Sequence, residues 1–388
     1  MVHKFLTFSK SSYQLTTLIM VVIVAGMSQG LLMPLLTILL DRSGVSPDAN
    51  AVNAVAMYLG IFGTMFVIER PVRRYGYKPV ILIGMGLIIV ATVMFPIWQG
   101  AIVWFVLRLI VGIGDSALHF ATQLWIVAAS PKEKRGRNIS LYGMAYGVGF
   151  SLGPIGITLL KFGVWAPFVA TSAFFVLIFA LVSRLVNEHP VRAERSEAAH
   201  RRVSTVYALA WFPLFTSLLY GYMEATMNSN FPLYGLRIGM TESVIGLLLP
   251  VTGIGGLILQ LPLGIWSDRI GRKPILIGSA ILGAFAFGCV PFVGTNPWSL
   301  GLCLGIAGGM VGSFFSLGLA YAADIVPRHL QPTTNIVASI QYSLGSIIGP
   351  LVGGLSLSYI SVYSMFYFLG LIYLLFGLSG FVFKRQVE

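Results

Sequence analysis

Apolar residues run through this sequence in long unbroken stretches, not in the one-faced or alternating patterns of water-soluble elements. A hydrocarbon core about 30 Å thick takes roughly 20 apolar residues of helix to cross. Twelve stretches meet that length: 14–40, 50–69, 79–98, 101–129, 138–160, 164–186, 206–233, 243–266, 274–294, 297–323, 333–358 and 361–383. Barrel strands are excluded, because they would alternate over about 10 residues. The first stretch follows a short basic head, Lys4 and Lys10. It outruns the roughly 7–15-residue core of a signal peptide, so it reads as a retained helix. The pattern predicts an all-α membrane protein of twelve spans.

Composition agrees. Of 388 residues, 56% are hydrophobic and 10% charged, against about 25% charged in soluble domains, which excludes a soluble enzyme. Cys289 and Cys303 lie in apolar runs, which rules out a disulfide framework or a cysteine metal site. The net charge of +12 would by itself suit nucleic acid. Its distribution says otherwise. With the N-terminus inside, all but four of the 25 basic residues fall in inside segments; Arg42, Lys161 and Arg237 fall outside and Arg108 within a span. That asymmetry predicts both termini on the cytoplasmic side of the cell's inner membrane, and no nucleic-acid partner.

The chain also repeats. Lys78-Pro79 recurs as Lys273-Pro274, 195 residues on, and Gly153-Pro154 as Gly349-Pro350, 196 residues on. Each pair opens or interrupts an equivalent stretch, so the spacing predicts two six-helix bundles, 1–186 and 206–388, by parallel duplication. The polar stretch 187–205, with Glu188, Glu194 and Glu197 among arginines, reads as a solvated cytoplasmic linker.

Between the eighth and ninth stretches stands Gly264-Ile-Trp-Ser-Asp268-Arg269-Ile-Gly271-Arg272-Lys273-Pro274. It resembles the signature loop of the major facilitator superfamily, G-x-x-x-D-R-x-G-R-[RK]. The resemblance implies two pseudo-symmetric six-helix bundles, alternating access, and a gating latch built on Gly264, Asp268, Arg269, Gly271 and Arg272. An acid at a helix end can accept from the N-terminus of a neighbouring helix and answer its dipole, while the arginines pair across the crevice between the halves. The N-terminal copy departs from the pattern: Arg73 stands where the acid belongs, and Glu69, one turn earlier, is a candidate substitute. In the fifth stretch, Gly149-x-x-x-Gly153-Pro154-x-Gly156 is similar to the family's antiporter motif, implying export, although Ser140 replaces its leading glycine. Small residues four apart equally suit plain close packing of helices.

Charge in hydrocarbon is costly and usually functional. Arg108 and Asp115 in the fourth stretch and Glu224 in the seventh qualify, at depths of roughly 10, 21 and 15 Å from the outer surface. His119 shares the face of Arg108 and Asp115. Arg108 with Gly112 is similar to the family's R-x-x-x-G pattern, which implies a part in proton coupling. Glu224 falls where bacterial drug:proton antiporters with twelve spans carry a glutamate; their companion acid in the tenth span is missing, Gly308, Gly309 and Ser313 occupying that region. Arg108, Asp115, Glu224 and His119 are thus the candidate coupling residues, since a carboxyl in a half-dry cavity can bind and release a proton during a cycle. The plainer alternative is a static Arg108–Asp115 or Arg108–Glu224 ion pair. Gln29, Phe120, Tyr222 and Asn228 are candidate cavity residues.

No phosphate-binding loop, metal cluster or nucleophile–base pair occurs, so no cofactor or enzyme activity is expected and a proton gradient supplies the energy. The expected function is proton-coupled antiport, by a monomer in the lipid bilayer, of a small amphipathic drug or a secreted metabolite such as a siderophore. A symporter or a lipid flippase of the same fold is the alternative.

Overall fold

The computed structural model describes residues 2–131, 134–190 and 199–383. Lys132, Arg192, Glu194, Arg195, Glu197, Lys384 and Arg385 lie outside the described residues, as do the side chains of Lys4, Lys10, Arg201 and Arg202. Among the described residues every regular element is helical.

In chain order the helices are α1 (Val2–Arg42), α2 (Pro47–Met65), α3 (Glu69–Tyr75), α4 (Tyr77–Ile97), α5 (Ala101–Ala129), α6 (Arg135–Leu152), α7 (Trp165–Ser183), α8 (Ala199–Arg237), α9 (Glu242–Ile270), α10 (Arg272–Cys289), α11 (Pro297–Val311), α12 (Phe314–Ile325), α13 (Gln331–Tyr359) and α14 (Ser364–Val382). Among the described residues 11 helices are long and apolar enough to cross a membrane, or 12 spans if α2 and α3, bent by 58°, count as one. All twelve predicted stretches therefore coincide with helix.

Local chemistry explains several boundaries. Asn296 caps α11 by accepting from the Trp298 amide at 3.0 Å, with Pro297 in the first turn, where its missing N–H costs nothing. α8 departs from helical geometry at Ala210, three residues before Pro213. α6 tightens after Leu152 into a 3-10 helix, Gly153–Phe162, which begins on Gly153-Pro154. Its repeat partner Pro350 sits inside an α13 that stays α-helical to Tyr359.

The chain divides into two compact units, residues 1–35 with 56–193, and residues 36–55 with 194–388. The same devices recur in both. Gly76 (φ 88°) and Gly271 (φ 108°) turn the chain into α4 and α10 in a backbone region that side chains disfavour. The lysine two residues after each glycine then caps the last helix of its unit. Lys78 Nζ donates to the carbonyls of Ser183 and Leu185, and Lys273 Nζ to that of Phe383, each cation answering a helix C-terminus.

The start of the polar stretch 187–205 is held against the first unit. Asn187 accepts from the Lys78 amide and donates to the Tyr75 carbonyl. The Glu188 carboxylate accepts from the Trp125 indole at 2.9 Å, while its carbonyl accepts from the Tyr77 amide. Trp125 in turn stacks on Tyr77 within the buried cluster that includes Ile81, Leu118 and Phe175.

Glycines bring backbone against backbone where α1 meets α6 and α8 meets α13, as they also do between α2 and α5 and between α9 and α11, where a Cβ on Gly112 or Gly308 would lie 2.0 Å from a carbonyl oxygen. A Cβ on Gly149 would lie 2.2 Å from the Ile23 carbonyl oxygen, and one on Gly345 2.0 Å from that of Leu218. Backbone cannot retreat as a flexible side chain can. Gly149→Ala and Gly345→Ala are each expected to destabilise the protein by about 2 kcal/mol or more, read as a lowered thermal unfolding midpoint in detergent. Gly143→Ala, on the same helix as Gly149 with open space around it, should leave that midpoint within error of the parent.

Candidate functional site

In the first unit the polar groups gather where α5, α6 and α1 meet. Arg108 is 1% exposed, and none of its three guanidinium nitrogens finds a hydrogen-bond acceptor among the described residues. The static Arg108–Asp115 pair is not formed. Asp115 Oδ1 instead faces His119 Nε2, one turn along α5, at 3.5 Å, an ion-pair separation without hydrogen-bond geometry. His119 Nδ1 lies 2.8 Å from the Tyr142 hydroxyl of α6. Its ring also stands edge-on to Tyr146, which donates its hydroxyl to Gln29 Oε1 of α1 at 2.7 Å. Asp115, His119, Tyr142, Tyr146 and Gln29 thus form one connected polar cluster in a setting otherwise apolar.

In the second unit the site is built round Glu224 of α8, 5% exposed. The Tyr342 hydroxyl of α13 donates to Glu224 Oε2 at 2.7 Å, and no cation lies within ion-pair distance among the described residues. Tyr342 stacks with Tyr220 at 6.1 Å and meets Phe315 of α12 edge-on at 5.9 Å. Asn228, one turn on, donates to the Glu224 carbonyl, an internal helix contact. The Tyr222 hydroxyl is buried and has no hydrogen-bond partner among the described residues. Phe120 packs against the first unit's apolar cluster.

At the signature loop Arg272 is the hub. It bridges Asp268, one turn before it at 3.2 Å, and Asp324 at the end of α12, its Nε donating to Asp324 Oδ2. In the N-terminal copy, Glu69 pairs with Arg73 across one turn of α3 at 2.5 Å, both exposed. Gly149, Gly153 and Pro154 lie where α6 meets α1: a Cβ on Gly153 would come 2.5 Å from the Met27 carbonyl oxygen. A cavity of about 300 Å³ opens beside this seam, among Val24, Met27, Leu31, Gly153 and Phe174. Its apolar walls hold none of the ionisable groups, so it lies apart from the candidate site.

Sequence reasoning missed Tyr142, Tyr146, Tyr220, Tyr342, Phe315 and Asp324. One signal was available for two of them: Tyr146 and Tyr342 are 196 residues apart, the spacing of the Gly-Pro pairs.

A family model described as Major Facilitator Superfamily matches residues 18–241 and 213–388. The chain is 36% identical over 364 residues to the uncharacterized MFS-type transporter YfkF of Bacillus subtilis, covering 93% of each chain. It is 23% identical to the uncharacterized MFS-type transporter YcaD of Salmonella enteritidis PT4, over 75% of this chain and 74% of that one. Among solved structures, the nucleoside transporter NupG superposes with a TM-score of 0.77 at 14% identity, covering 96% of this chain and 100% of that one. A bacterial homolog of the lysosomal transporter Spinster gives 0.67, also at 14% identity and covering 96% of each chain. At such identities these two matches establish the fold alone.

The Tyr146–Gln29 hydrogen bond holds α6 to α1 from inside. Tyr146→Phe should cost about 1–3 kcal/mol, because it leaves the buried Gln29 carbonyl unpaired. Tyr146→Phe/Gln29→Leu should lose less than the sum of the two single changes. A double-mutant cycle on the unfolding midpoint checks this; strict additivity would deny the contact any energetic weight.

Proposed function

Because the chain belongs to the Major Facilitator Superfamily, we propose that this multi-pass membrane transporter couples movement of a small amphipathic molecule to that of protons, with Glu224 as the principal proton carrier. Members of the family are transporters, not enzymes. The observation that carries the reading is a buried carboxyl that, among the described residues, accepts a side-chain hydrogen bond from a neutral tyrosine and has no cation within ion-pair distance. An isolated carboxylate at this depth is expensive. The group is therefore best held either protonated or paired with a cation brought from outside, and exchange between those two conditions is antiport. Aromatic faces beside it, Tyr220, Tyr342 and Phe315, suit a bulky amphipathic guest, cationic ones above all.

Asp115 with His119 supplies a second exchangeable group in the first unit, and Arg108, fully buried and unbonded, is the fixed charge that such a cycle would answer. The Gly149–Pro154 motif supports outward transport of a drug or secreted metabolite. Arg272, holding Asp268 and Asp324 together, is the proposed centre of the cytoplasmic gate, with Glu69 and Arg73 as its weaker counterpart. The distribution of basic residues supports cytoplasmic termini and the cell's inner membrane. The chain is read as a monomer.

Expression in a host lacking its own exporters should lower accumulation of ethidium or a related lipophilic cation. In inside-out vesicles the same probe should release protons from the energised lumen. Glu224→Gln is expected to abolish that release and Asp115→Asn to reduce it at least about tenfold, the scale of one general acid–base group at the low end or below. Parental release in both variants would sink the proton assignment. Proton and probe moving in the same direction would make the protein a symporter.

A further inference from the structure

We infer that Tyr342 is the positioning residue of the Glu224 carboxyl, and that Gln29 is the permanently uncharged counterpart of Glu224 in the first unit, held by Tyr146 in the same way. The inference rests on the reading of Glu224 as the proton carrier and says how the carrier is held.

Gln29 and Glu224 are 195 residues apart, and Tyr146 and Tyr342 are 196 apart, the same two offsets that relate the Lys-Pro and Gly-Pro pairs. Each tyrosine hydroxyl donates to its partner at 2.7 Å. The third member also repeats: His119 and Phe315, 196 residues apart, stand edge-on to Tyr146 and Tyr342 at 5.1 and 5.9 Å, with ring planes at 84° and 77°. The backbone beneath is equivalent too. A Cβ on Gly26 would meet the Tyr146 carbonyl oxygen at 2.6 Å, and one on Gly221 that of Tyr342 at 2.2 Å. Two helix pairs packed by one set of glycines therefore present the same three-residue arrangement, with an amide in one unit and a carboxyl in the other.

The chemical difference is in what the hydrogen bond can do. As placed, the Gln29 carbonyl accepts from Tyr146, and an amide has no proton to exchange at neutral pH. A tyrosine hydroxyl both donates and accepts. Tyr342 can thus donate to the Glu224 carboxylate and accept from the protonated acid, keeping contact on both sides of the proton exchange. An amide has nearly the shape of a protonated carboxyl, so the Gln29 site shows that this scaffold holds the neutral form without rearrangement. Titratable groups in the first unit sit one helix over, at Asp115 and His119 of α5; Val311 and Phe315 take the corresponding places in the second unit. Each unit therefore keeps its protonatable group at a different corner of the same frame. Facing Glu224 are Tyr220 on its own helix and Tyr342 on α13, and Tyr373 of α14 contacts the α8 backbone at Leu219. No positive group on the packed elements faces it among the described residues.

The test needs protons alone. The full chain is reconstituted in phosphatidylethanolamine–phosphatidylglycerol vesicles, and its protonated-carboxyl stretch is followed by infrared spectroscopy against pH. Glu224→Gln identifies the Glu224 band by its loss. Tyr342→Phe should move the titration midpoint of that band by about one pH unit, the worth of one hydrogen bond to a charged group, and Tyr146→Phe should leave it in place. Gln29→Glu should add a second band that responds to Tyr146→Phe and not to Tyr342→Phe. A Glu224 band indifferent to Tyr342→Phe, or moved equally by Tyr146→Phe, overturns the inference. So does a Glu224→Gln chain that fails to fold, because the equivalence requires an amide to fit there. Ethidium-driven proton release that survives Glu224→Gln, with the band still following Tyr342, would defeat the transport reading and leave the positioning role standing.

Discussion

Backbone lies directly against backbone along the α1–α6 and α8–α13 seams, and the tyrosine contacts of each unit's candidate site span that seam. Lipid tails are as apolar as leucine, so hydrophobic burial cannot by itself choose which helix meets which. Glycine makes the choice by removing the side chain that would hold two helices apart. Where Gly149 meets Ile23 and Gly345 meets Leu218, the gain is close van der Waals contact and a fixed register. Register then has chemical consequences. With the glycines seated, Tyr146 is one turn from the crossing and opposite Gln29, and Tyr342 is opposite Glu224. A tyrosine hydroxyl reaches its partner at 2.7 Å in both units because the helices carrying the two groups cannot drift.

The polar groups follow from the absence of water. In hydrocarbon every buried donor or acceptor must find a partner in the protein or pay heavily. Many hydroxyls on these helices turn back on their own carbonyls, as Ser229 does on Ala225 and Thr64 on Gly60, while others, Thr92 and Ser217 among them, have no hydrogen-bond partner among the described residues. The ionisable groups carry the heavier cost. Arg108 has three unbonded nitrogens, Glu224 holds a neutral hydroxyl in place of a cation, and the His119 Nε2 lies near Asp115 without a proper hydrogen bond. On the proposed reading, those are the places where a proton or a guest completes the contact.

Much of this was legible in the chain. The twelve apolar stretches match 11 membrane-length helices among the described residues, or 12 spans with α2 and α3 taken together, because length and continuity are set by membrane thickness. The Lys-Pro repeat pointed to two equivalent helix entrances, and Lys78 and Lys273 are indeed each donating to carbonyls at the end of a unit's last helix. Arg108, Asp115 and Glu224 declared themselves by being charged where charge is rare. Tyrosines did not, because an aromatic with a hydroxyl is ordinary in a membrane helix and only its opposite number gives it meaning. Nor could the reading see that Arg272 reaches Asp324, 52 residues away, or that Asn187 and Glu188 would be tied to Trp125 and Lys78. Those contacts depend on which helix ends become neighbours, which periodicity does not encode.

A duplicated frame with unequal chemistry also limits how such a protein can work. If both units carried a carboxyl opposite their tyrosine, two protons would have equivalent places and nothing in the frame would order their binding. Here an amide, Gln29, stands at one of those places, while the ionisable His119 and Asp115 lie together on a neighbouring helix of the same unit. The equivalent helix of the second unit has Leu304, Val311 and Phe315 where the first has Arg108, Asp115 and His119. Charge has been removed from one copy at each corner and kept in the other, so the glycine-built seams are shared while the titratable groups are not. If Glu224 and Asp115 carry protons as proposed, symmetry of packing with asymmetry of charge gives the two units alike helix seams and unlike proton sites, which is the condition for a cycle with a direction.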